Sequence, residues 1–380
     1  IEREMRDPKA AERFALKQSQ AFVDQMEGFA LELEDELMNF SDVSYKSFVK
    51  SESEIITLFY DKFADIPLLS RMDAVAETFI DEIETLLNRD LPEEERIPLI
   101  EKFRKMYETM DFYVLYNRFL KKEGYQTLPR RPLEKRKLRY EDVYPVLYLK
   151  YRLSRQAERS NIKHLVIDEM QDYSRLQYLI IRRMFSCKMS ILGDRAQTMA
   201  DQQQDVLQFL PGIFGKDLRR IEMRKSYRNT VEIASYAANL IGVTDLELFE
   251  RHGMPVLERD VTDLEAALRE AVDTLFPDEK TYETAAVIVP DEKTAERAYL
   301  ILREILAEKD FDCGKRLSWL NRDSSSFKKG LTVTTFYLAK GLEFDQVFSI
   351  FPKDEKREIM MQAQYIAATR ALHELRVYHI

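Results

Sequence analysis

His164-Leu165-Val166-Ile167-Asp168-Glu169-Met170-Gln171-Asp172 sets a short apolar run directly against adjacent carboxylates. A run such as Leu165-Val166-Ile167 predicts a parallel strand covered on both faces, and in open α/β sheets ligands sit just beyond the carboxyl ends of such strands. Asp168 and Glu169 fall at that end. An Asp there can hold a Mg²⁺ bound to nucleotide phosphates, and a neighbouring Glu can orient and deprotonate an attacking water. For a lone Asp-Glu pair the plainer reading is an acidic turn after a strand. A second run, Met189-Ser190-Ile191-Leu192, ends in Gly193-Asp194-Arg195-Ala196-Gln197 and brings a glycine, a carboxylate and an amide to the same sheet edge.

Around this stretch lie 380 residues, more than one hydrophobic core usually organises, so two or three domains are expected. Ten glycines are few for that length and favour helices over loops. No apolar run reaches the length of a membrane span and no signal pattern opens the chain, which therefore reads as cytoplasmic, with no membrane partner. Cys187 and Cys313 stand far apart without metal-ligand spacing, which supports neither a disulfide framework nor a zinc site. The formal charge of −9 argues against binding nucleic acid through overall basicity, though a local groove can still be positive. The chain opens with Ile1 rather than Met, so a piece of something longer is expected.

From about Pro8 to Met38 the series Phe22, Met26, Phe29, Leu33, Leu37 predicts one long amphipathic helix. Glu32, Glu34, Asp35 and Glu36 crowd its C-terminal part, against the helix dipole, and call for compensating partners. Residues 45 to 88 read as mostly helical. A further helix is punctuated by Asp90 as cap, Pro92 in the first turn and Glu93 placed for a capping box. Arg130-Arg131-Pro132 and Lys135-Arg136-Lys137-Leu138-Arg139 form the one concentrated basic stretch: a phosphate contact, a contact for an acidic partner, or a solvated connector. Beyond residue 200, Leu207 to Leu210 leads to a turn at Pro211-Gly212, and Arg219 to Met223 is a strand candidate. A helix follows over Val231 to Leu240, then strands at Ala285 to Val289, Leu331 to Thr335, Val347 to Ile350 and Leu375 to Tyr378, with helices at about Lys293 to Ala307 and around Tyr365. Alternating strands and helices imply a parallel sheet with right-handed crossovers.

Asp-Glu-x-Gln-Asp followed by Gly-Asp-x-x-Gln resembles motifs II and III of superfamily 1 helicases of the UvrD/Rep type. Tyr227-Arg228 resembles motif IV, Thr335 through Phe344 with Lys340-Gly341-Leu342-Glu343 resembles motif V, and Tyr365-Ile366-Ala367-Ala368-Thr369-Arg370-Ala371 resembles motif VI, all in the family's order. The resemblance implies an α/β fold of two RecA-like parallel-sheet domains, the first incomplete. It implies a helical arm over 1–140, the rest of the first motor domain over 141–222 and a second over 223–380. It further implies ATP and Mg²⁺ as cofactors. Asp168 would hold the metal and Glu169 would be the catalytic base. Gln197, Arg228 and Arg370 would attend the γ-phosphate, Tyr227 would stack on adenine, and Glu343 would meet the ribose. Lys340 and Gly341 would join the nucleotide contact.

Departures from the pattern refine the expectation. No Gly-x-x-x-x-Gly-Lys-Ser/Thr loop occurs, so the phosphate cradle is missing and the chain looks like a piece beginning downstream of it, itself expected to be inactive. Thr198-Met199-Ala200 replace the family's usual base-stacking aromatics, and Tyr337 stands where a His is usual. With the helical segment ahead of motif II, the sequence is most similar to the HelD branch, ATPases that bind bacterial RNA polymerase and release it from stalled complexes. The alternatives are an ATP-dependent translocase or helicase on single-stranded DNA, and a non-enzymatic interaction module with a vestigial ATP site.

Overall fold

A computed structural model of the chain describes residues 8–155, 161–194, 206–223, 225–243, 247–275, 282–308, 317–322, 324, 329–353 and 358–380. They fall into two units, residues 1–192 with 204–218 and residues 193–203 with 219–380. Among the described residues no helix is long and apolar enough to cross a membrane.

The first unit opens with α1 (Pro8–Gln18) and α2 (Gln20–Glu36) rather than with one continuous helix. Ser19 makes the break: it is extended, and its hydroxyl accepts the Phe22 amide as an N-cap. Phe22, Met26, Phe29 and Leu33 are buried along α2, as their spacing requires. The acidic end of α2 finds cations across the unit, Arg71 for Glu34 and Lys122 for Glu32. A hairpin follows, β1 (Val43–Tyr45) and β2 (Phe48–Lys50), at the start of the span 45 to 88 that reads as mostly helical. Strands of three residues are too short to display a period of two. Then come α3 (Glu52–Thr57), α4 (Leu68–Leu87), α5 (Glu93–Arg104), α6 (Phe112–Lys122) and α7 (Tyr140–Leu153). The capping box expected at α5 is absent: Pro92 is the N-cap without a side-chain bond, and Glu84 of α4 accepts the Leu91 amide instead.

After α7 the chain forms β3 (His164–Ile167), α8 (Arg175–Met184), β4 (Lys188–Ile191) and α9 (Val206–Phe214). Leu176 and Ile180 of α8 share one core with Phe22 of α2, Phe119 of α6 and Tyr148 of α7. A smaller core of Ile167, Tyr178, Val206, Phe209 and Leu210 lies at β3 and α9. β3 and β4 pair in parallel, Ile167 opposite Ile191. The expected cover on both faces is not there. Ile167 is buried, but Val166 is 60% exposed, so helices cover one face of this described pair and not the other.

In the second unit β5 (Lys225–Ser226) pairs in parallel with β6 (Glu247–Leu248), with α10 (Val231–Leu240) between them in sequence. The strand expected at Arg219 to Met223 does not form, and Ile221 and Met223 stand exposed there. Next come β7 (Leu257–Asp260), α11 (Leu264–Asp273), β8 (Thr284–Val289), α12 (Glu292–Glu308), β9 (Leu317–Trp319), β10 (Gly330–Thr335), β11 (Phe344–Phe351), α13 (Glu358–Thr369) and β12 (Ala371–His379). The sheet order is β7-β12-β11-β8-β10-β9, parallel throughout. Ala285, Val287 and Val289 of β8 pack with α11 and α12, whereas Ala286 and Ile288 pack with α10 and α13. This is the doubly covered strand of the α/β class. β10 and β11 flank β8 on opposite sides. Residues 336–343 therefore carry the chain from the carboxyl end of β10, where Thr335 faces Val289, back to the amino-terminal end of β11, where Phe344 faces Ala371.

Candidate functional site

At the end of β3 the backbone is fastened to the chain leaving β4. The Leu192 amide donates to Ile167 O at 2.8 Å and the Met170 amide donates to Leu192 O at 2.8 Å. Between them Glu169 takes a left-handed conformation, φ 52° and ψ 51°. Its amide donates to Asp168 Oδ1 at 2.8 Å, and its own Oε2 accepts from Gln171 Nε2 at 2.6 Å. The buried Tyr178 steadies the turn by donating its hydroxyl to Met170 O at 3.0 Å. Asp168 is exposed and Glu169 half-buried, one carboxylate reaching solvent and the other braced. Gln171 went unassigned in the sequence, although an amide two residues past a carboxylate was the available signal. Among the described residues no group of three or more His, Cys, Asp or Glu could cage a metal ion. Mg²⁺ keeps most of its waters and takes one or two carboxylates together with substrate phosphates. Gln197 lies outside the described residues.

The other expected residues belong to the second unit. Arg228 Nε meets Glu343 Oε1 at 2.7 Å. Arg370 is buried, donating from Nε to Ile366 O (3.2 Å), from Nη1 to Leu342 O (3.3 Å) and from Nη2 to Thr369 Oγ1 (3.1 Å). Its carbonyl accepts the Phe344 amide at 2.9 Å. Arg228, Glu343 and Arg370 are thus one connected set at the amino-terminal ends of β11 and β12. Gly341, at φ 81°, lets the 336–343 segment turn into that set, with Lys340 half-buried before it. Tyr227 stands exposed, its ring 5.8 Å from that of Phe249, and Lys225 Nζ lies over both rings at 5.6 and 5.7 Å. Tyr365 donates its hydroxyl to Asp194 Oδ2 at 3.1 Å; burial, then the Asp194 carboxylate, pushes this phenol's pKa up.

Chemically, the first unit offers a carboxylate for a hydrated cation beside a second, oriented carboxylate that can take a proton. The second unit offers two guanidiniums, one half-exposed and one buried, with a flat exposed aromatic surface nearby. Arginine forks match phosphate oxygens in geometry and charge.

The family model described as the UvrD/REP helicase N-terminal domain matches residues 6–202. The C-terminal domain of a possible DNA helicase from Lactobacillus plantarum WCFS1 is similar at 24% identity and a TM-score of 0.32, over 41% of this chain and 88% of that one. The PRRSV helicase is similar at 13% identity and a TM-score of 0.32, over 70% of this chain and 45% of that one. An arterivirus nonstructural protein 10 helicase, in complex with DNA, is similar at 14% identity and a TM-score of 0.32, over 70% and 51%. The chain thus spans about half the length of the two viral helicases it matches. No curated protein matches it.

Proposed function

The chain belongs to the UvrD/REP helicase family, and from that membership we propose that it is part of an ATP-hydrolysing motor, with the turn after β3 and the arginine cluster of the second unit as its nucleotide-facing surfaces. Asp168 holds Mg²⁺, which neutralises phosphate charge when bound. Glu169, kept in place by Gln171, orients the attacking water and takes its proton. Gln197 senses the terminal phosphate. Arg228 leaves Glu343 for that phosphate, and Arg370 reaches it by exchanging carbonyl partners. Tyr227 stacks on the adenine, while Glu343, once released, meets the ribose beside Lys340 and Gly341.

The observation that carries this reading is the braced Glu169 beside an exposed Asp168 at the carboxyl end of a parallel strand. Because the chain has no Gly-x-x-x-x-Gly-Lys-Ser/Thr loop, ATP turnover by these 380 residues should stay near background. In a protein carrying that loop ahead of this chain, Glu169→Gln should abolish turnover and spare nucleotide binding. Robust hydrolysis by the 380 residues alone would refute the expectation that turnover requires that loop.

For the partner we propose bacterial RNA polymerase, released from nucleic acid in the manner of the HelD branch. A helical segment ahead of the motif, Thr198-Met199 in place of stacking aromatics and Tyr337 in place of His support it. The second reading, a translocase on single-stranded DNA, draws on the basic segment. Arg130, Arg131, Lys135 and Lys137 there have no ion-pair partner among the described residues, while Arg136 is tied to Asp111. ATPase assays with single-stranded DNA and, separately, with core polymerase discriminate the two. Polymerase binding that is lost on deleting residues 1–120 supports the first. Strong stimulation and unwinding with DNA alone overturns it.

A further inference from the structure

Asn229 follows the exposed Arg228 and is buried at 7% exposure, next to Thr230, which is buried as well. Its Nδ2 donates to Ala371 O at 2.7 Å and to Thr369 O at 3.3 Å, the two residues flanking Arg370. The guanidinium of Arg370 in turn donates to Leu342 O, and the next residue, Glu343, closes on Arg228. These contacts run in a ring: Arg228, Asn229, the backbone around Arg370, Leu342-Glu343, and back to Arg228. A buried amide serving only its own loop would bond within it. This one spans 140 and 142 residues of sequence to bracket a single arginine.

We infer that Asn229 is the positioning residue that fixes the backbones carrying Arg228 and Arg370 relative to one another, so that both guanidiniums turn to one polyphosphate from a fixed frame. The inference rests on the phosphate roles proposed above. Its chemistry is specific to an amide. Asp has nearly the same shape but would set a carboxylate against two carbonyl oxygens, and Ala offers no donor. Asn229 bonds to backbone carbonyls and to neither guanidinium, so the frame it fixes can persist while the two side chains exchange Glu343 and carbonyl oxygens for phosphate.

The test follows the Nε–H signals of Arg228 and Arg370 in the nitrogen-labelled chain, assigned with Arg228→Lys and Arg370→Lys. In Asn229→Ala and Asn229→Asp both signals should exchange with solvent at least about tenfold faster. The Nε–H of Arg376, held by Glu374 at 2.6 Å in β12, should not change. Unchanged Arg228 and Arg370 signals overturn the inference, as does a change confined to Arg370. If both variants also release Arg376, the fold itself has loosened, and Asn229→Ser, which keeps one donor, decides by the same criterion. In the full-length ATP-hydrolysing protein, Asn229→Asp should lower kcat by about 10²-fold with KM within about threefold. A normal kcat where Arg228→Ala and Arg370→Ala each abolish turnover also overturns the inference. Normal turnover in those two arginine variants instead removes the phosphate reading, and the exchange measurement alone then judges the ring.

Discussion

At φ 52° Glu169 occupies a region that residues with a Cβ enter at a cost of about 1 kcal/mol, and it does so beside the residues with the most chemistry. Glu169→Gly and Glu169→Ala both remove the carboxylate and its bond to Gln171, so their difference isolates the backbone. Urea denaturation should find the glycine variant more stable than the alanine variant by about 1 kcal/mol, and equal stabilities would mean that the turn relaxes. A second residue titrates. Glu232 accepts from the Gly253 amide at 2.9 Å and from His252 at 3.0 Å, and these bonds, the amide first, hold its pKa down at about 2. Its folded value lies below that of an unfolded Glu, near 4.3, so its contribution is complete above that pH and is lost as pH falls towards 2. The stability gap between the wild type and Glu232→Gln should therefore be widest near pH 6 and shrink steadily in denaturation curves taken at pH 4 and pH 3. A gap independent of pH would exclude the carboxylate as its source. Gly253 is fixed by contact, since a Cβ there would lie 2.6 Å from Thr230 Cγ2. The place of Asp168 and Glu169 at the carboxyl end of a strand could be read from the sequence because an apolar run points at them. Gln171 as a brace left a local mark, two residues past Glu169, whereas Asn229 as a clasp left none, because its amide's partners are set by tertiary distance.

Among the elements, α8 connects the turn to the core. The Ser174 hydroxyl accepts the Gln177 amide, the Ser174 amide donates to Gln177 Oε1, and Leu176, Tyr178 and Ile180 of the helix are buried. Ser174→Ala should cost about 1 kcal/mol in urea denaturation. Because Tyr178 also holds Met170 O, the amides of Met170 and Asp172 should then exchange faster; unaltered exchange would separate the cap from the turn. Elements with a repeated apolar signal were legible: the stripe of α2, and the cores of β8, β10, β11 and β12. Those without one were not. β7 reads Leu-Glu-Arg-Asp, an edge strand whose charged side chains hide its pairing, and β9 has only three residues. At α9 the sequence signal points the wrong way. Pro211-Gly212 predicts a turn, yet the helix runs through to Phe214. Burying Val206, Phe209 and Leu210 offsets the roughly 3 kcal/mol that an interior proline costs.

Across the whole molecule, the hydrophobic clusters respect the two units. Ile80 and Phe119 belong to a core within the first, and Leu302 and Val287 to a core within the second. Each core is large enough to drive a cooperative transition of its own, and a chain with two such cores need not unfold in a single step. Calorimetry should therefore resolve two transitions. Ile80 and Leu302 are both fully buried, and replacing either with Ala removes comparable packing, at a cost of about 3 kcal/mol. Ile80→Ala should lower one transition and leave the other in place, and Leu302→Ala should do the reverse. Additivity is expected in the double variant, since sites with no shared partners rarely couple. One transition lowered equally by both substitutions would mean that the units fold as a single body, and the arginine cluster could then not be studied apart from the carboxylate turn.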